Sequence, residues 1–218
     1  MVGMNKRMVG GISRKMLERF PIYYHYLDEK CKEGQAYISA PAIAADLQLN
    51  EVQVRKDLEI FSKSAGKPKL GYVTQILCQD LEEFLGYHNR NEAALVGVGS
   101  LGRALLSYGG FERYGVEIVT AFDEDPSLID TAVNGKQVMD VERLEHICSR
   151  LGISIGIITV PADRAQEVCD RMVRAGIQAI WNFAPVHLNV PAPVLVQNEN
   201  MAVSLAMLSK HLHELNRR

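Results

Sequence analysis

Apolar positions follow two different rhythms along this chain. Before about residue 88 they recur at helical spacing, and beyond about residue 92 they gather into short unbroken runs. Val54, Leu58 and Phe61 fall at i, i+4 and i+7, the stripe of an amphipathic helix. Ile43 and Leu47 give the segment before it an apolar face, and Leu49 packs the turn between them. Ser39 to Leu58 therefore predicts two helices joined by a tight turn. Asn50 is placed to cap the second, with Gln53 where a capping box puts its Glu or Gln. The later runs Ala93–Gly97, Gly115–Phe122, Ile153–Val160, Ile177–Phe183 and Pro193–Val196 predict strands. Helices are expected from the glycine turn after the first run to about Tyr108, over Glu142–Arg150 and over Ala162–Ala175, stopped by Gly176. Continuous apolar strands between helices predict a parallel sheet covered on both faces. At the end, Met201, Leu205, Leu208, Leu212 and Leu215 step by 4, 3, 4 and 3, an apolar seam along one helix.

Composition narrows this picture little and charge narrows it more. With 218 residues, 47% apolar and 23% charged, the chain can bury a core without disulfide staples, and disordered, collagen-like and coiled-coil-only classes drop out. No run has the length of a membrane span and no leader pattern opens the chain, so a cytoplasmic location with no membrane partner is expected. Cys31, Cys78, Cys148 and Cys169 form no CxxC pair and no metal-ligand spacing, which predicts reduced thiols and no metal. The net charge of −2 hides a division: residues 1–79 carry 12 Lys and Arg against 8 Asp and Glu, residues 80–218 carry 12 against 18. The basic front and acidic back suggest two jobs.

Gly97-Val98-Gly99-Ser100-Leu101-Gly102 supplies the first candidate chemistry. This GxGxxG follows a predicted strand and opens a predicted helix, and Asp123 ends the next strand 21 residues past Gly102. That is the setting of a dinucleotide fingerprint. Gly97 allows the tight turn, Gly99 lets backbone approach a pyrophosphate, and Gly102 permits close helix–strand packing. Asp123 accepts from the adenosine ribose hydroxyls and repels a 2′-phosphate, which favours NADH and NAD+ over their phosphorylated forms. Thr159, Val160 and Pro161 at one strand end, with Asn182 and Phe183 at the next, are expected to line the same crevice. No convincing acid/base pair accompanies them, and there is little room for a substrate domain, so an enzyme is not expected.

The front half offers the second candidate chemistry. Gln53, Arg55 and Lys56 lie away from the apolar stripe, where their side chains suit base edges and phosphates. Lys63, Lys67 and Lys69 follow in a loop with glycine and proline, the composition of a wing along DNA. Lys6, Arg7, Arg14, Lys15 and Arg19 add positive charge upstream. The fold class expected is α/β: an N-terminal winged helix-turn-helix domain over 1–86, a C-terminal Rossmann-like parallel-sheet domain over 90–198, and a dimerisation helix over 199–218.

Four stretches carry a resemblance to the Rex family of redox-sensing transcriptional repressors. They are Arg19-Phe20-Pro21-Ile22-Tyr23-Tyr24, Val54-Arg55-Lys56-Asp57-Leu58, the segment Leu95 to Leu105 around the glycine turn, and Asn182-Phe183-Ala184-Pro185-Val186-His187-Leu188-Asn189-Val190-Pro191. The resemblance implies a homodimer that exchanges its last helix between subunits and binds palindromic double-stranded DNA operators when NADH is low, with NADH as the releasing signal. It also places Tyr108 near the nicotinamide and Arg19 in a switch network between domains. Asn200 stands where the family often carries an aspartate in that network. The wing departs too: the family's Phe-Gly-rich segment is replaced by Phe61-Ser62-Lys63-Ser64-Ala65-Gly66-Lys67-Pro68-Lys69. Two rivals remain at this point. One is a small NAD-dependent oxidoreductase with a helical appendage, which predicts hydride turnover. The other is a repressor reading a different nucleotide or a CoA-type ligand through the same turn.

Overall fold

A computed structural model describes residues 12–215 and 217, without the side chain of Arg14. The chain forms two compact units, one ending at His88 and the other beginning at Asn89. Lys6 and Arg7 lie outside the described residues.

The first unit runs α1 (Arg14–Leu17), α2 (Phe20–Lys32), β1 (Tyr37–Ile38), α3 (Ala40–Asp46), α4 (Glu51–Phe61), β2 (Tyr72–Val73) and α5 (Thr74–Leu85). The Ser39 side chain accepts from the Ala42 N–H and caps α3; Asn50 accepts from the Gln53 N–H at 3.2 Å and caps α4. The predicted stripe holds: Val54, Leu58 and Phe61 are buried with Ile43, Phe20, Tyr23, Leu27, Leu77 and Leu81 in one core. The capping box is only half formed, because the Gln53 side chain turns to Asp57 instead of back to Asn50. β1 pairs antiparallel with β2, and the loop between α4 and β2 closes on Lys67–Gly71 backbone bonds. This is a helix-turn-helix with a short wing.

The second unit runs β3 (Asn91–Val96), α6 (Ser100–Ser107), β4 (Val116–Asp123), β5 (Ala132–Val133), β6 (Lys136–Asp140), α7 (Leu144–Leu151), β7 (Ile155–Ile158), α8 (Ala162–Arg174), β8 (Ala179–Asn182), β9 (Leu195–Asn198) and α9 (Met201–Leu215). Its sheet has the order β5-β6-β4-β3-β7-β8-β9, parallel except for the β5–β6 pair. Along β3, Ala93 and Leu95 enter one core with Leu106 and Ile118. Ala94 and Val96 enter the other with Leu144 and Met172, so both faces are covered. The fold is Rossmann-like. The expected strands are present but several are trimmed at their ends, where the chain leaves the ladder for turns. The β5–β6 hairpin was not expected; its signal, Asn134-Gly135, is the pair suited to a tight hairpin turn, and both residues have positive φ.

Candidate functional site

The chain runs outward from β3 through β4 to β6, then crosses back to β7 on the other side of β3. That reversal opens a crevice at the carboxyl ends of the strands, where open α/β sheets take their ligands. A cleft of about 600 Å3 lies there, lined by Gly97, Gly99, Asp123, Thr159, Val160 and Pro161. Its acidic side is Glu124, Asp125, Asp140 and Glu142, faced by Arg164 and Arg171 of α8. Arg171 pairs with Glu142 at 2.7 Å, and Arg164 lies 3.6 Å from Glu124.

The glycine turn is shaped by backbone. Gly97 has φ 100°, and a Cβ there would come within 2.8 Å of the Thr159 carbonyl. A Cβ on Gly102 would meet the Gly97 oxygen at 2.0 Å, so α6 sits directly on the turn. At Gly99 a Cβ would meet nothing within 4 Å, and this position faces the cleft at the start of α6. Val98, Ser100 and Leu101 complete the turn. The Asp123 carboxylate accepts from the Val98 N–H at 2.5 Å and from the Asp125 N–H at 2.9 Å, which ties the end of β4 to the turn.

Four expected cofactor contacts are engaged within the protein itself. The Thr159 hydroxyl donates to the carbonyls of Val96 and Gly97 at 3.0 and 2.7 Å, so it staples β7 to the turn. Asn182 does not offer its amide to the cleft, a correction of the expectation. It is fully buried; its nitrogen donates to Ala184, Val186 and Asn198, and its oxygen accepts from the Ala184 N–H. It clamps the loop after β8. Tyr108 and Phe183 stand outside the cleft lining, linked through a row of rings. Tyr108 meets Phe111 edge-on at 4.9 Å, Phe111 meets Trp181 at 5.7 Å, and Trp181 meets Phe183 at 4.5 Å. Asn200 caps α9 by accepting from the Val203 N–H at 3.0 Å, while Glu199 accepts from the Trp181 indole at 3.1 Å.

In the first unit, α4 carries the candidate DNA face. Lys56 is exposed; Arg55 is exposed but bonded to Glu51 one turn earlier at 2.7 Å. Lys67 lies over the Tyr37 ring at 5.6 Å, and Lys69 is exposed at the loop tip with φ 66°. Lys63 is drawn into an ion pair with Glu83 of α5, which lowers its value as a free phosphate contact. Lys15 is exposed on α1, which also holds Arg14. Arg19 grips Asp57 of α4 within its own unit, with Nε at 2.6 Å and Nη2 at 2.9 Å. This pairing was not expected, since the resemblance placed Arg19 between domains. The Asp57 carboxylate holds the Arg19 proton more tightly still, and burial together with the Asp57 bond raises Tyr23. Sequence reasoning also missed Val52, 60% exposed on the first turn of α4, and Arg164, whose only signal was its place in the first turn of a helix after a strand end.

A winged helix and a Rossmann-type cleft on one chain define the class of ligand-responsive DNA-binding regulators. The chain belongs to the Rex family of redox-sensing transcriptional repressors: it is 38% identical over 197 residues to the Rex repressor of Bacteroides fragilis, covering 90% of this chain and 89% of the relative. Residues 11–59 match a family described as "Putative DNA-binding protein N-terminus", and residues 88–186 one described as "CoA binding domain". The fold is similar to the crystal structure of RSP in complex with beta-NAD+ and operator DNA, with a TM-score of 0.90 and 35% identity, covering 96% of this chain and 95% of that one. The complex of RSP with beta-NADH gives 0.84 at 35% identity, covering 94% and 96%. Membership makes this chain a transcriptional regulator and not an enzyme, which sets aside the oxidoreductase reading. Among the described residues no helix is long and apolar enough to cross a membrane.

Proposed function

We propose that this chain is a repressor that binds operator DNA when NADH is low and lets go when NADH binds. The observation that carries the reading is a helix-turn-helix with an exposed basic face on the same chain as a cleft shaped for a dinucleotide. The cleft fits the nucleotide at two points: Gly99 leaves open the space a side chain would fill, and Asp123 is held with its carboxylate lining the cleft. Gly99 and the start of α6 would receive the pyrophosphate, since a helix N-terminus favours anions. Asp123 would accept from the adenosine ribose hydroxyls. The acids around it oppose a 2′-phosphate, and they favour NAD(H) over the CoA-type alternative, whose adenosine is phosphorylated as well.

Reduction removes the positive charge of the nicotinamide ring. Val160 and Pro161 border the cleft with apolar surface, and an unpaired charge buried against such surface is costly, so the reduced form is favoured. If the NADH-bound conformation fits DNA less well, linkage makes DNA weaken NADH binding by the same factor, typically about 1–3 kcal/mol. Tyr108, Arg19 and Asn200 belong to that switch in this reading, and Phe183 borders the nicotinamide. Every described residue of α9 is exposed, including all five of its seam positions, which supports cover by the same helix of a second copy. A twofold dimer of this kind suits a palindromic operator. Gel shifts on an operator fragment with NADH and with NAD+ test the reading. Loss of the complex with NADH alone is expected. Equal retention with both nucleotides overturns the sensor role and leaves the DNA-binding role standing.

A further inference from the structure

Asp57 sits in the middle of the reader helix yet is fully buried. Its two oxygens accept from Arg19 Nε and Nη2 at 2.6 and 2.9 Å and from the Tyr23 hydroxyl at 2.8 Å. A fourth donor reaches it from its own helix: Gln53 Nε2, at 3.1 Å from Oδ1. A glutamine amide is ambivalent, since a half-turn exchanges its donor and acceptor ends. An ionised carboxylate only accepts, so Asp57 admits just one of these orientations. The Gln53 nitrogen faces Asp57, and the carbonyl oxygen is the other arm of the amide. The Asn50 cap holds the Gln53 backbone N–H at the same time. Gln53 lies on the first turn of α4, half-buried beside the exposed Val52. In a helix-turn-helix that turn is the part that meets base edges.

We propose that Asp57 is a positioning residue for base readout: it fixes the Gln53 amide so that Oε1 meets the exocyclic amine of an adenine or a cytosine in the major groove. These are the two bases that present a donor there. The second Nε2 hydrogen remains available to adenine N7, so adenine and cytosine give different profiles. The proposal rests on the reading that α4 enters the groove. It turns the helix from a general basic surface into a reader with preset polarity.

The test is the relative affinity of the full-length protein for operator fragments randomised one base pair at a time. The native chain is expected to prefer an amine-bearing base by about tenfold at one base pair in each half-site. Gln53→Ala should erase that preference. Asp57→Asn, which frees the amide to turn, should relax the same base pair and leave the others as they were. Equal weakening on every sequence by Asp57→Asn would make Asp57 a fold residue only and overturn the proposal. Should Asp57→Asn not fold, Gln53→Ala decides alone: it leaves Asp57 with Arg19 and Tyr23 but removes the amide, so loss of the preference is expected and its retention overturns the proposal. If Lys56→Ala weakens binding while Gln53→Ala changes no preference, the groove reading survives and the proposal falls. If the native chain binds no fragment, the reading of α4 has itself failed.

Discussion

The two units reach their candidate sites by opposite means. In the second, backbone shapes the cleft: a left-handed Gly97, an α6 resting on it through Gly102, and strand ends set by sheet register. In the first, side chains shape the reader: a buried Asp57 gathers Arg19, Tyr23 and Gln53 from three places in the chain. The backbone site has no room for an added atom at Gly97 or Gly102, while Gly99 stays open. The side-chain site tolerates shape changes but not the loss of one charge.

Asp57→Ala should have the largest effect. It leaves Arg19 facing a buried gap, and breaking such a pair costs about 3–5 kcal/mol of stability. Urea unfolding of the full chain checks this, and a cost under about 1 kcal/mol would mean that the side-chain site is not held as described. Gly102→Ala should follow. Its methyl meets a backbone oxygen, and overpacking of this kind costs about 1–3 kcal/mol. Calorimetric titration with NADH should show roughly tenfold to hundredfold weaker binding, with gel-shift affinity for DNA unchanged. Gly99→Val extends the contrast: it should fold, since an added Cβ there meets nothing within 4 Å, and still abolish the nucleotide response.

Lysines of the reader unit give a smaller split. Lys56→Ala should weaken binding to all operators alike and lower the salt slope by about 1. Lys63→Ala should do less than half as much, because Glu83 already pairs that charge. Alkaline pH should separate the units least. Burial pushes Cys78 of the first unit up to about 12 and Cys148 and Cys169 of the second up to about 11. In the unfolded chain these thiols ionise near an ordinary value of about 8.5. Their contribution to stability is therefore whole below that pH and is lost as pH rises toward the folded values. Urea unfolding should be flat from about pH 6 to 8 and decline above about 9, with Cys78→Ala reducing the slope.

What the sequence revealed follows the same contrast. Gly97, Gly102 and Asp123 are legible because a backbone site requires particular residue types at fixed spacing. The helix-turn-helix is legible from the stripe of Val54, Leu58 and Phe61 and from the Asn50 cap. Asp57 is different: its partners lie 34 and 38 residues upstream, and only folding brings Tyr23 and Arg19 to it. Asn182 misled for the same reason, since a strand-end asparagine looks alike whether it meets a ligand or its own loop. The charge of Lys63 was visible and its partner Glu83 was not.

Trp181 is the only tryptophan of the chain, wedged between Phe111 and Phe183 with its indole tied to Glu199, two residues before α9. Excited selectively, it is a single light source set at the root of the last helix. Rearrangement of that root changes the polarity and hydrogen bonding around one indole, and every change in emission has one address. The molecule can thus be watched through its own colour, without a dye and without altering a residue.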